Sequence, residues 1–315
     1  MTVGISVRWF TTPVWRDLRR RLNGRLIYWP IVLIWVFGVA SAYAQNQAAL
    51  QAKMVELREP LASSWFKRPL VLESTQAKEA LTGEVFAIVA QPLALVQETF
   101  KRVEHWCDIL ILHLNVKQCV RETAGADKGL TVAIGRKYDQ PLTDAYVIPF
   151  THEVQASERD YLNVALRADQ GPMGTKNYRI VLESIAIDAN SSFIHMSYSY
   201  AYGAAAKTAL QIYMATVGRA KVGFSIVGQS ANGTPIYVGN LRGLMERNTM
   251  RYFLAIESYL GALKAPVDAR AEKRLRDWFN ATERYPRQLH ELDLQEYLTM
   301  KHGELERQKL AERGK

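Results

Sequence analysis

Tyr178, Tyr198 and Tyr200 are the side chains best suited to hold a ligand. Each carries an apolar ring and a hydroxyl that can donate or accept a hydrogen bond. With Ile180, Leu182 and Met196 they recur at alternate positions, so strands would place all six on one face. A cleft lined this way suits an amphipathic molecule, and an ordinary core with satisfied hydroxyls would use the same residues. Arg247 and Arg251, four apart, share one helix face. They would meet an anionic head group or pair with Glu246 and strand carboxylates. Met250, Phe253 and Leu254, from the same stretch, would join the lining.

No catalytic residue can be assigned. The chain has no phosphate loop, dinucleotide fingerprint, nucleophile elbow or zinc-binding helix, so neither a cofactor nor a metal is expected. His152 and Glu153 are neighbours in an extended stretch and point to opposite faces, which rules out a joint grip on a metal. His195 alternates with the apolar set and reads as a solvated histidine. His105 and His113 bracket two short helices. Cys107 and Cys119 stand twelve apart, a spacing that fits either a disulfide in an oxidising compartment or two buried thiols, but not a metal knuckle.

The elements that must position these residues emerge from the bulk pattern. With 315 residues and 48% apolar side chains, the chain can bury a substantial core. Its net charge of +9 is unevenly placed: six arginines against the single Asp17 put five of those charges before residue 45. Downstream charge runs mix signs, as in Glu272-Lys273-Arg274, which argues against nucleic acid as a partner. Residues 26–44 contain no charge, follow the basic flank Arg16 to Arg25, and offer small-residue cleavage patterns at Ala40-Ser41-Ala42 and Ala42-Tyr43-Ala44. They read as a secretory signal or, at nearly the length that crosses a bilayer, an uncleaved anchor. Either places the remainder across the membrane, in the periplasm if the chain is bacterial.

Residues 45–80 read as a helical connecting segment. From Leu81 the pattern gives a strand over 83–90, a helix opened by Pro92, and a second short helix through Leu112. Six strand candidates follow between Val116 and Tyr200, with turn residues between them, so neighbours should be antiparallel. Residues 204–217 read as a helix. Residues 221–239 read as an apolar hairpin around Asn232-Gly233: a lid, a wedge touching a membrane, a partner surface or a strand pair completing the sheet. Asn240 would cap a long helix ending before Pro266, and residues 264–315 form a helical extension.

Val85 to His113, VFAIVAQPLALVQETFKRVEHWCDILILH, and Gly174 to Ile187, GTKNYRIVLESIAI, resemble the START and polyketide-cyclase-like superfamily over roughly 81–263. That resemblance implies an α+β helix-grip fold. A curved antiparallel sheet of about seven strands would cover a long C-terminal helix, with the N-terminal signal or anchor and the extra C-terminal helices outside this plan. It further implies a cavity for a lipid-like or other hydrophobic small molecule and supplies no universal catalytic motif. The expected function is therefore an exported binding protein. The alternatives are a cyclase-like enzyme on an apolar substrate and an envelope scaffold whose C-terminal helices bind a protein partner.

Overall fold

A computed structural model describes residues 46–122, 129–216, 218–219 and 221–313. The signal or anchor expected over 1–44 lies outside the described residues. Among the described residues no helix is long and apolar enough to cross a membrane. Residues 46–315 form one compact unit.

Helix α1 (46–56) and the short α2 (Arg58–Ala62) lead into β1 (Leu70–Gln76) and β2 (Ala80–Val89). Helices α3 (Leu93–Phe100) and α4 (Val103–Leu110) then cross to the far edge of the sheet. There a meander begins: β3 (Val116–Glu122), β4 (Gly129–Ile134), β5 (Tyr146–Glu158), β6 (Tyr161–Gln170), β7 (Thr175–Ala186) and β8 (Ser192–Tyr202). The meander returns to pair β8 with β2, giving the antiparallel order β1-β2-β8-β7-β6-β5-β4-β3. Register irregularities in β3, β5 and β7 bend strands that would otherwise stay flat. Helix α5 (Ala204–Ala215), a hairpin of β9 (Ile226–Gln229) and β10 (Pro235–Tyr237), the long α6 (Asn240–Ala262), α7 (Arg270–Thr282), α8 (Pro286–Leu289) and α9 (Leu294–Arg313) complete the chain.

The sheet has eight strands. The additional one, β1, is an edge strand that sequence reading leaves in the connecting segment. The hairpin does not complete the sheet but forms a two-stranded sheet of its own. Asn240 is not the cap of α6: Gly239 holds that position, and Asn240 has a φ of 52° with no capping side-chain bond.

Alternation sorts the sheet as expected. On β2 and β8, Val85, Met196 and Tyr198 face inward while Glu84, Phe86 and His195 face outward, where Phe86 stacks on His195. Helix α1 lies over this outer face, its Lys53 5.2 Å above the Phe86 ring. Helix α6 crosses the inner face at Gly83, where a Cβ would fall 2.2 Å from Thr249 Oγ1, so glycine is what lets helix and strand approach.

Most of α6 is buried, because the C-terminal helices cover the side turned away from the sheet. Trp278 of α7 donates its indole N–H to the Arg251 carbonyl at 3.0 Å. Helix α9 closes the β3 edge: Lys301 Nζ donates to the His113 and Val116 carbonyls at 2.7 and 2.9 Å, and Gln308 Oε1 accepts the Cys119 N–H at 3.1 Å. Lys301 and the equally buried Lys117 share the carboxylate of Glu304 at 2.7 and 3.0 Å. Breaking such a buried trio on one side costs about 3–5 kcal/mol. Cys107 of α4 and Cys119 of β3 are joined by a disulfide, with Cα atoms 5.1 Å apart, which ties the helical crossing to the sheet.

Candidate functional site

Where the inner face of β7 and β8 meets the middle of α6, aromatic rings form a ladder. Tyr178 and Tyr200 stack at 5.1 Å between centroids, and Tyr178 and Tyr198 lie 6.2 Å apart. Tyr252 of α6 meets Tyr198 edge-on at 5.1 Å, and His113, from the turn before β3, stacks on Tyr252 at 4.7 Å. The strand period brings the β-sheet tyrosines to one face, and the helix lays Tyr252 across them. Gly171 makes room for the first ring, since a Cβ there would stand 2.2 Å from Tyr178 Cε2.

The polar atoms of this ladder are unusual in what they lack. The Tyr178 hydroxyl pairs with Thr175 Oγ1 at 2.7 Å. The Tyr198, Tyr200 and Tyr252 side chains are largely buried, and their hydroxyls form no hydrogen bond among the described residues, but these oxygens are not fully enclosed. His113 Nδ1 accepts the Asn115 N–H at 3.1 Å, so the ring proton belongs on Nε2, which is buried without a partner. Buried polar groups are nearly always paired, so the one enclosed orphan of the ladder, His113 Nε2, calls for an explanation.

Electrostatics keeps the ladder neutral. Burial raises the Tyr178 phenol to about 12 and pushes Tyr198, Tyr200 and Tyr252 further up. Burial, then the charges of Arg251, Lys301, Lys137 and Lys117, holds His113 well below its ordinary value. Near neutral pH every ladder group is therefore an uncharged hydrogen-bonding tip. None is poised for proton transfer.

The other residues expected at the site divide clearly. Ile180 and Leu182 of β7, Met196 of β8, and Met250, Phe253 and Leu254 of α6 are closely packed and nearly or fully inaccessible, so they form the wall behind the ladder. Phe253 lies under the Arg68 guanidinium at 5.8 Å. Arg251 donates to the Leu289 carbonyl at 3.2 Å and to Glu291 at 3.0 Å. Glu291 also receives Lys137 at 2.5 Å and Lys221 at 3.0 Å. Although burial alone would raise it, these cations hold Glu291 down at about 2. Arg247 donates to the Val222 carbonyl at 3.4 Å. The arginine partners thus come from the hairpin base and the α8–α9 connection. Glu246 is engaged elsewhere, accepting the Phe224 and Ser225 N–H groups at 2.6 and 2.9 Å and the Ser225 and Ser74 hydroxyls.

His195 is not a solvated histidine. Its Nε2 and Nδ1 each lie 2.9 Å from a carboxylate, Glu84 and Glu183 respectively. Glu183 also takes the Tyr161 hydroxyl, which Asn163 Nδ2 bonds at 3.1 Å. Burial opposes the imidazolium, yet the two carboxylates raise His195 to about 9. Among the described residues no group of His, Cys, Asp or Glu is arranged to hold a metal.

Sequence reasoning missed Tyr252 and gave His113 no part. Tyr252 does sit at helical spacing within the stretch already singled out. His113 becomes informative only through its partners in space.

The strand order, with β2 meeting β8, two helices bridging to the far edge and α6 laid across the inner face, defines the class: an α+β helix-grip fold. No family model matches the chain, and no curated protein matches it. Among solved structures it is similar to norcoclaurine synthase from Thalictrum flavum, at 11% identity over 46% of this chain and 89% of that one, with a TM-score of 0.32. It is also similar to the Zhui aromatase/cyclase from Streptomyces sp. R1128, at 12% identity over 66% and 95% with a TM-score of 0.31. For human StAR-related lipid transfer protein 5 the values are 10%, 51%, 83% and 0.28. At these scores the likenesses carry no argument about ligand or reaction.

Proposed function

We propose that this chain binds an amphipathic small molecule, lipid-like or phenolic. Its polar group would lie on the Tyr198, Tyr200 and Tyr252 hydroxyls and His113 Nε2–H, its apolar body against the rings. The observation that carries this reading is His113 Nε2, buried without a partner and stacked at the end of the tyrosine ladder. A ligand supplying an acceptor to His113 Nε2–H would recover that unmet bond, worth about 1–3 kcal/mol when buried. The uncharged state of every ladder group favours binding over acid–base catalysis. The proposed place of action is the far side of a membrane, delivered or held there by residues 1–44. The Cys107–Cys119 disulfide supports an oxidising compartment.

Native mass spectrometry of gently purified protein is expected to show a bound species that denaturation releases. Tyr198→Phe with Tyr252→Phe should weaken its retention roughly tenfold, about 1.4 kcal/mol. The reading is overturned if no species co-purifies and no fatty acid, sterol or phenol raises the melting temperature. For the compartment, the chain should be accessible to an externally added protease after outer-layer permeabilisation; full protection would place it inside.

A further inference from the structure

The geometry points to a second surface, the β9–β10 hairpin, as a site that docks on an anionic lipid bilayer. Ile226, Val227 and Ile236 are 54%, 56% and 47% exposed on a two-stranded ribbon that stands apart from the main sheet. A register irregularity brings both Ile226 and Val227 opposite the Ile236–Tyr237 step, and Ile236 faces the bare Gly228 across the ribbon. Three branched aliphatic side chains therefore form a small apolar patch that nothing in the fold covers. A ribbon this short should be loose, yet its base is clamped. Glu246 accepts the Phe224 and Ser225 N–H groups, and Gly223 and Val238 N–H groups donate across the base at 2.6 and 2.8 Å. The fold thus holds an exposed apolar patch in a fixed position.

Charge identifies the occupant. Between Asp188 and Glu246 the sequence contains no acidic residue, while Lys207, Arg219, Lys221 and Arg242 occur in the same stretch. Lys207 and Arg219 are exposed. Beside the ribbon, the Arg287 guanidinium lies 4.9 Å from the Tyr237 ring. Lys221 pairs with Glu291 at 3.0 Å and Arg242 with Glu246 at 3.8 Å, but Glu291 is shared among three cations, so the balance here stays basic. An apolar patch with Arg287 beside it and a basic balance at its base matches the headgroup region of a bilayer containing anionic lipids, where apolar burial and electrostatic attraction act together. The polar turn Ser230 to Thr234 favours a ribbon lying flat among headgroups over one that plunges through them.

The test uses the full chain. Its two cysteines are joined to each other, so an Ile236→Cys variant offers one free thiol for an environment-sensitive fluorophore. On vesicles of phosphatidylcholine with about a third phosphatidylglycerol, the label should shift to shorter wavelength and be quenched by nitroxide lipids. A label at Asn190→Cys, in the exposed β7–β8 turn, should remain aqueous. Adding Arg287→Glu should weaken the response at 236 by roughly tenfold. A label at 236 that stays in water on anionic vesicles overturns the proposal. So does shielding equal on neutral vesicles, or already present without vesicles, the last meaning that a second copy or another protein covers the ribbon. None of these results depends on a ligand in the tyrosine ladder, so this test and the ligand reading fail separately.

Discussion

The two faces of the sheet hold polar groups in different states, a charged cluster outside and an uncharged ladder inside. Outside, His195, Glu84, Glu183, Tyr161 and Asn163 form a cluster whose main donors have acceptors within 2.9–3.4 Å. Inside, the tyrosine hydroxyls and His113 make far fewer bonds, and a buried atom on each face stays unpaired, His113 Nε2 inside and Asn163 Oδ1 outside. A charged, densely bonded network mainly fixes the fold, whereas sparsely bonded neutral tips retain interactions for a visitor. Depth of burial alone would not have distinguished them.

The sharpest way to break this contrast is at Glu183. Glu183→Ala strands His195, Tyr161 and Asn163 together and should cost about 3 kcal/mol, lowering the melting temperature by roughly 6–12 °C. Chemical denaturation with coincident probes would measure it.

A smaller effect is expected from the proton that His195 carries. The folded protein holds it up to about pH 9, against an ordinary value of 6.5. The stabilisation is complete below pH 6.5 and is lost as pH rises through 9. Glu84 and Glu183 are held below their ordinary 4.5, so their part is present above that pH and is lost as acid increases. The advantage of the wild type over His195→Gln should therefore peak between about pH 5 and 6.5 at about 2 kcal/mol, then decline toward pH 9. A pH-independent difference would refute the charged clamp.

Gly171→Ala tests the inner face, because the added methyl must turn the Tyr178 ring aside. A loss of about 1–2 kcal/mol is expected, together with a changed near-ultraviolet tyrosine signal. The smallest effect belongs to Tyr198→Phe: its hydroxyl has no partner to lose, so stability should stay within about 0.5 kcal/mol while ligand retention falls. If Tyr198→Phe proved as costly as Glu183→Ala, the inner face would be no more open than the outer one.

Much of the fold was legible because strand alternation from Val116 to Tyr200 is regular, and because Pro92 and Pro266 mark helix ends in plain composition. Strand β1 was not, since LVLESTQ alternates weakly and lies at an edge where one side needs no apolar partner. Tyr178, Tyr198 and Tyr200 were legible as a face. That their tips lack partners was not, because it depends on what α6 and the turn at His113 place above them. Arg247 and Arg251 illustrate the same limit: their acceptors at Val222, Leu289 and Glu291 lie 25 to 40 positions away in sequence.

Closure of the β3 edge by α9 also constrains how the molecule can be made. Lys301 and Gln308 lie 185 and 189 positions after their partners Val116 and Cys119, so a ribosome releasing residues in order presents β3 with open backbone groups until α9 has emerged. Until that helix docks, the nascent sheet is a template for unwanted strand addition, and a chaperone would be needed to shelter it.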